Sequence, residues 1–321
     1  MRRRKFLVLF GSAVATWPLA ARAQEASGKV WRIGYLNPGP RLSLVFDAWK
    51  RKLRALGYVE GKNLVIEARF ADNIIGNLPQ LGRELVAANP DVLVGISTPA
   101  VSALQKATNS IPIVMGDIGD PIGSGFIASL AKPGGKITGT ANMTIDYIPK
   151  TIELLRELLP EAKRAAALMS ANPTHPVLYR ALEAAAKVAG IELLPAMAKA
   201  EADLDAAFAA MSENKCDALI ILTETPRFRI VSLAAQARLP AIYQQALYVG
   251  AGGLISYGAD TVGSVEQTAV YADKIIRGAD PAELPVEQPT KFEMKINLKT
   301  AKALGLTIPP TLLARAVEVI E

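Results

Sequence analysis

Between Val30 and Tyr243, short apolar runs alternate with segments whose apolar residues recur every three or four positions. Runs of the first kind read as strands covered on both faces, and segments of the second as helices lying over them. The pattern predicts strands at Val30–Leu36, Leu64–Arg69, Val92–Ile96 and Ile113–Met115. Helices are expected between them at Leu44–Leu56, Leu78–Ala88 and Pro99–Ala107. In the first helix Phe46, Trp49, Leu53 and Leu56 share one face, which places Trp49 in a core. The rhythm then restarts with a helix at Ile152–Leu159. Strands follow at Ala165–Met169, Ile191–Leu194, Ala218–Leu222 and Ala241–Tyr243, with helices at Leu178–Val188, Leu204–Met211 and Ile230–Ala237. Later segments are less regular: a strand at Gly252–Tyr257, a helix at Val265–Ile276, a strand at Lys291–Ile296 and a closing helix capped near Thr307. Two βα series of similar size predict an α/β fold of two similar Rossmann-like lobes and argue against one large sheet. Gly134, Gly135 and Gly139 stand just before the restart, where a crossing between lobes needs permissive backbone.

The first 23 residues change the charge picture. Arg2, Arg3, Arg4 and Lys5 precede an apolar run from Phe6 to Ala20, and Ala21-Arg22-Ala23 has the small-x-small form of a cleavage site. That is the layout of a secretory signal, and Arg3-Arg4-Lys5-Phe6-Leu7 resembles its twin-arginine variety. No cysteine follows the site, so a lipid anchor is not expected. Removing residues 1–23 takes five of the 36 bases and none of the 30 acids. That leaves 31 bases against 30 acids, so the formal charge drops from +6 to +1. A nearly neutral body offers no electrostatic footprint for nucleic acid. The remaining chain suits two domains of ordinary size.

Enzyme signatures are sparse. The single histidine, His175, lies in Asn172-Pro173-Thr174-His175-Pro176, where a solvated turn is expected. The single cysteine, Cys216, excludes an internal disulfide and a thiolate metal cluster, and it reads as an inert thiol. Neither a phosphate loop nor a dinucleotide fingerprint is present, so no cofactor is expected. What the chain does carry is polar residues at the carboxyl ends of its strands, where open α/β sheets bind ligands. In the first series these are Asn37, Ser97-Thr98 and Asp117. In the second they are Ser170, Asn172, Thr223-Glu224-Thr225 and Tyr243-Gln244-Gln245. Thr98 before Pro99 reads as a helix cap, with the helix N-terminus behind it suited to an anion.

Several stretches resemble the ABC-transporter substrate-binding family that includes tryptophan- and tyrosine-binding members. They include Arg32-Ile33-Gly34-Tyr35-Leu36, Leu56-Gly57-Tyr58-Val59-Glu60-Gly61-Lys62-Asn63 and Gly119-Asp120-Pro121-Ile122-Gly123-Ser124-Gly125. Ala131-Lys132-Pro133-Gly134-Gly135, Gly252-Gly253-Leu254-Ile255-Ser256-Tyr257-Gly258 and Leu284-Pro285-Val286-Glu287-Gln288-Pro289-Thr290-Lys291-Phe292 continue it. The resemblance implies a type I periplasmic-binding-protein fold, two lobes joined by a multi-crossing hinge. One lobe would comprise 30–142 plus 256–285 and the other 143–255 plus 286–321. It implies a monomeric, non-enzymatic, periplasmic subunit that delivers a small polar or amino-acid-like ligand to an ABC permease in the inner membrane. A periplasmic enzyme acting on a small carboxylate, and a sensor that presents its closed form, are the alternatives. The expected ligand contacts are Tyr35, Asn37, Thr98, Asp117, Asp120, Thr140, Asn142, Asn172, Thr223, Tyr243 and Tyr257. Asp117 or Asp120 would accept an ammonium, the Thr98 helix start would hold an anion, and the tyrosines would form a wall.

Overall fold

A computed structural model describes residues 29–41, 43–222 and 226–321. The expected signal segment and Thr223 lie outside the described residues. Lobe 1 is built on five parallel strands: β1 (Trp31–Asn37), β2 (Leu64–Phe70), β3 (Val92–Ile96), β4 (Ile113–Ile118) and β5 (Ile137–Ala141). Their order is β2-β1-β3-β4-β5. Helices α1 (Leu44–Ala55), α2 (Leu78–Ala87) and α3 (Thr98–Ala107) connect them. Strands β3, β4 and β5 are buried along their whole length, which is why β3 and the start of β4 read as apolar runs and not as alternating ones. Trp49 is fully buried beneath α1, as its helical spacing requires.

After β5 the chain passes through α4 (Thr144–Tyr147) and α5 (Lys150–Leu158) into lobe 2. There β6 (Arg164–Met169), β7 (Glu192–Met197), β8 (Ala218–Ile221) and β9 (Ala241–Tyr243) alternate with α6 (His175–Val188), α7 (Leu204–Glu213) and α8 (Arg227–Gln236). A short α9 (Ala246–Gly250) leads into β10 (Ile255–Ala259), which pairs in parallel with β9. Helix α10 (Thr261–Ile276) then returns to lobe 1, where Val265, Ala269, Tyr271 and Ala272 share a core with Tyr35, Phe46 and Trp49. Finally β11 (Phe292–Asn297), α11 (Leu298–Leu304), α12 (Pro310–Leu313) and β12 (Glu318–Ile320) complete lobe 2. The seven strands run β12-β11-β10-β9-β8-β6-β7, and only the β10–β11 pair is antiparallel.

Two crossings fall later than the expected boundaries. The expected switch at Ser256 would cut β10, whose residues 255–259 all pair with β11 in the second sheet. The chain therefore re-enters lobe 1 only at Asp260, whose carboxylate accepts the Gly263 N–H and caps α10. On the way back Val286 is still in the lobe 1 core, and Glu287 pairs with Thr140 at the edge of β5. The second sheet resumes at Phe292, not at 286.

One irregularity prepares the site. The β4–β5 register shifts between Met115 and Ile118, and inside that shift Asp117 adopts φ 61. Left-handed backbone in a non-glycine residue costs of order 1–3 kcal/mol and must be held by its surroundings. Where the shift begins, Met115 pairs with Gly139, at φ 139, where a Cβ would stand 2.1 Å from the Met115 carbonyl oxygen. The strands approach too closely for any side chain at that position, and the bulge turns Asp117 out of the ladder.

Candidate functional site

The strand ends of both lobes face one space of about 570 Å³, part of it open to solvent. Thr98, Asp117 and Gly119 line it from lobe 1, and Asn142 and Thr144 from the first crossing. Asn172, Thr174, His175, Leu178, Leu222, Gln244, Gln245 and Tyr248 line it from lobe 2. Tyr147, Ala259 and Thr261 complete the wall. Among the described lining residues Asp117 is the one charged side chain.

Asp117 is buried, and neutral amides hold its carboxylate. Asn142 Nδ2 donates to Oδ1 at 3.0 Å, and Gln245 Nε2, from the opposite lobe, donates to Oδ2 at 3.4 Å. Two helices point their N-termini into the same space. Helix α3 starts behind Ser97, which has φ 70, so the cap is Ser97 and Thr98 is the first helical residue, one position earlier than the sequence suggested. Helix α6 starts behind Asn172, whose Oδ1 accepts both the Thr174 N–H (3.0 Å) and the Thr174 hydroxyl (2.8 Å). Helix N-termini carry partial positive charge, so a buried carboxylate faces two anion-favouring ends. That distribution complements a small zwitterion.

The structure brings together Thr98, Asp117, Asn142 and Asn172 from the expected set and leaves the others aside. Tyr35 is sealed in the lobe 1 core, its ring centroid 4.7 Å from Trp49 and 4.8 Å from Phe46. Asn37 donates to the Tyr35 hydroxyl and accepts the Gly39 N–H, so it shapes the β1 end and not the cleft wall. Asp120 accepts the Gly123 N–H at 2.8 Å in its own turn. Thr140 ties β5 to α10, its hydroxyl 2.9 Å from that of Ser264. Tyr243 and Tyr257 stand one layer behind the wall. Tyr243 stacks on Tyr248 (4.7 Å, 20°), and Tyr257 meets Tyr147 edge-on (5.9 Å, 84°). The cleft tyrosines are therefore Tyr147 and Tyr248, neither of which the strand-end rule selects, because both lie on short helices. Thr174, by contrast, carries a readable signal: Asn172-Pro173-Thr174-His175-Pro176 repeats the polar-then-proline helix start seen at Thr98-Pro99.

His175 is not a solvated turn residue. It is 1% exposed, at the first turn of α6, and the Ser170 N–H donates to its Nδ1 at 2.9 Å. This fixes the neutral tautomer with the proton on Nε2. Burial draws its pKa down from 6.5 to about 4. A depressed histidine stabilises the fold above the unfolded value, and that stability is lost as pH falls towards the folded value, because the unfolded chain takes up the proton first. Between pH 6.5 and 4 the loss should total about 3 kcal/mol. With no second histidine in the chain, urea unfolding at pH 7 and pH 5 isolates this effect. The wild type should lose stability over that interval and His175→Gln much less; equal losses would contradict the assignment.

A cleft between two parallel-sheet lobes, rimmed by strand ends and helix N-termini, defines a binding protein of the type I periplasmic-binding-protein fold. The chain belongs to the ABC transporter substrate binding protein family, whose model matches residues 38–320. It is 28% identical over 281 residues to a tyrosine-binding protein of Clostridioides difficile, a match covering 85% of this chain and 80% of that one. Among solved structures, a conserved domain protein from Vibrio cholerae O1 biovar eltor superposes with TM-score 0.83 at 32% identity, covering 91% of this chain and 100% of the other. The ABC domain from Streptococcus pneumonia in complex with L-Trp superposes with TM-score 0.81 at 27% identity, covering 90% and 99%.

Proposed function

We propose that this chain is the exported solute-binding subunit of an ABC importer. In this reading it captures an α-amino acid with an aromatic side chain between its lobes and presents it to a membrane permease. The observation that carries it is the charge layout of the cleft: Asp117 on the β4 bulge, opposite the starts of α3 and α6. Asp117 takes the ammonium, while N–H groups at the two helix starts take the carboxylate. Tyr147, Tyr248, Leu178 and Leu222 provide an apolar enclosure for the side chain. Tyrosine- and tryptophan-binding relatives support an aromatic ligand, and an importer partner is the role of the family. The Ser170 hydroxyl lies 3.4 Å from His175 Nδ1, but that nitrogen already accepts the Ser170 N–H and both residues are buried, so binding without turnover is the better reading.

Calorimetry tests this with L-tyrosine, L-tryptophan and L-phenylalanine, each alongside its analogue lacking the α-amino group. At least one amino acid should bind one-to-one and be recovered unchanged, and its des-amino analogue should bind at least tenfold more weakly. Loss of the ligand to a product would establish an enzyme instead. Equal affinity for the des-amino form would remove Asp117 from its role.

A further inference from the structure

Gln244 is the residue of the cleft that the binding of an amino acid backbone leaves unused. It follows Tyr243 at the end of β9 and lines the space between the lobes. Its side-chain Nε2 and Oε1 are both closed off from solvent, and neither has a hydrogen-bond partner among the described residues. Folded proteins leave few buried polar atoms unpaired, and a primary amide with both ends unpaired inside a ligand cleft is a recognition element in waiting. Its neighbour Gln245 is already committed, donating to Asp117 at 3.4 Å. Consecutive residues leaving a strand turn their side chains apart, so Gln245 serves the ammonium end and Gln244 another part of the ligand. The backbone here has little freedom to adjust: a Cβ at Gly258 would lie 1.9 Å from the Gln244 carbonyl oxygen and 3.2 Å from the Tyr147 hydroxyl. Strand β10 therefore packs directly against residue 244, beside one of the two cleft tyrosines.

We infer that Gln244 reads a polar group on the ligand's side chain and sets the preference among aromatic amino acids. This rests on the amino-acid reading above. The amide offers a donor nitrogen, with two N–H bonds, and an acceptor oxygen. A phenol hydroxyl both accepts and donates and satisfies the two together. An indole N–H only donates, so it satisfies Oε1 and leaves Nε2 unpaired. A phenyl ring satisfies neither and buries both. The cleft should accordingly favour a hydroxyphenyl side chain over indolyl, and indolyl over phenyl. A site built to pair a ligand hydroxyl discriminates strongly against the analogue lacking it, because its own polar groups are then stranded.

The test is titration of L-tyrosine, L-tryptophan and L-phenylalanine into the full mature chain and into Gln244→Met, with Gln244→Asn as a shortened amide should the first variant fold poorly. For the wild type we expect tyrosine to bind at least about tenfold more tightly than phenylalanine. In either variant that ratio should fall below about threefold, with phenylalanine affinity maintained or improved in Gln244→Met. A tyrosine-to-phenylalanine ratio unchanged in both variants overturns the inference, as does a uniform loss of all three ligands, which would make Gln244 a shaping residue only. If the wild type binds none of the three, the amino-acid reading itself fails and takes this one with it, a result distinct from binding without discrimination.

Discussion

Asp117→Ala is expected to weaken amino acid binding by roughly a hundredfold, about 3 kcal/mol, while leaving the protein folded. The carboxylate is 7% exposed, so its interaction with an ammonium is little screened by water. Removing it also frees Asn142 and Gln245, whose amides now donate to it. Asp117→Asn separates these contributions: it keeps the shape and removes the charge, and should retain the fold with most of the affinity loss. Asp120→Ala is the matched control. Its carboxylate is occupied by the Gly123 N–H of its own turn, so affinity should stay within about threefold of wild type. Calorimetry on the three variants decides the matter; Asp117→Ala binding like wild type would leave the cleft without its proposed ammonium site.

Gly139→Val should be the most destabilising single change in lobe 1, costing about 4 kcal/mol or preventing folding. Two penalties combine. The backbone is at φ 139, which side-chain-bearing residues avoid, and the added Cβ would sit 2.1 Å from the Met115 oxygen and 2.8 Å from its nitrogen. Neither neighbour is a side chain that can rotate away, so the β4–β5 pair must open. Because the same register shift presents Asp117, whatever folded protein remains should also bind ligand more weakly. Gly135→Ala, where an added Cβ meets nothing within 4 Å, should be close to neutral. Thermal and urea unfolding of both variants would show the contrast, and similar midpoints would refute it.

The sheet strands were legible because parallel strands covered on both faces are written as unbroken apolar runs. The same property hid the direction of individual side chains. Tyr35 lies in a strand whose last five residues are all buried, so nothing in the local pattern distinguishes a core-facing from a cleft-facing tyrosine. Strand β5 was missed because its sequence is Ile137-Thr138-Gly139-Thr140-Ala141, in which the glycine reads as a hinge and the threonines as polar. Its threonines are buried by pairing their hydroxyls: Thr138 donates to the Leu284 carbonyl, and Thr140 bonds to Ser264. Asp117, Thr98 and Asn172 were found by a rule about where ligands sit on a sheet, whereas Asn142, just past the unread β5, entered only with the expected contact set. Tyr147 and Tyr248 escaped it because α4 and α9 have only four and five residues, too short to carry a periodic signal. His175 was misread because two flanking prolines suggest a turn, whereas Pro176 is in the first turn of α6.

The excursion of α10 sets an order of assembly on the growing chain. Its residues from Val265 to Ile276 complete the core under β1 and α1, yet they are made after five of the seven strands of the second sheet. A nascent chain holding everything up to β10 would still present the apolar face of Tyr35, Phe46 and Trp49 to solvent or to chaperones. The first lobe to be started is thus closed only after five strands of the second sheet have been made. The second sheet in turn waits for β11 and β12, so neither lobe is complete until α10 has been made.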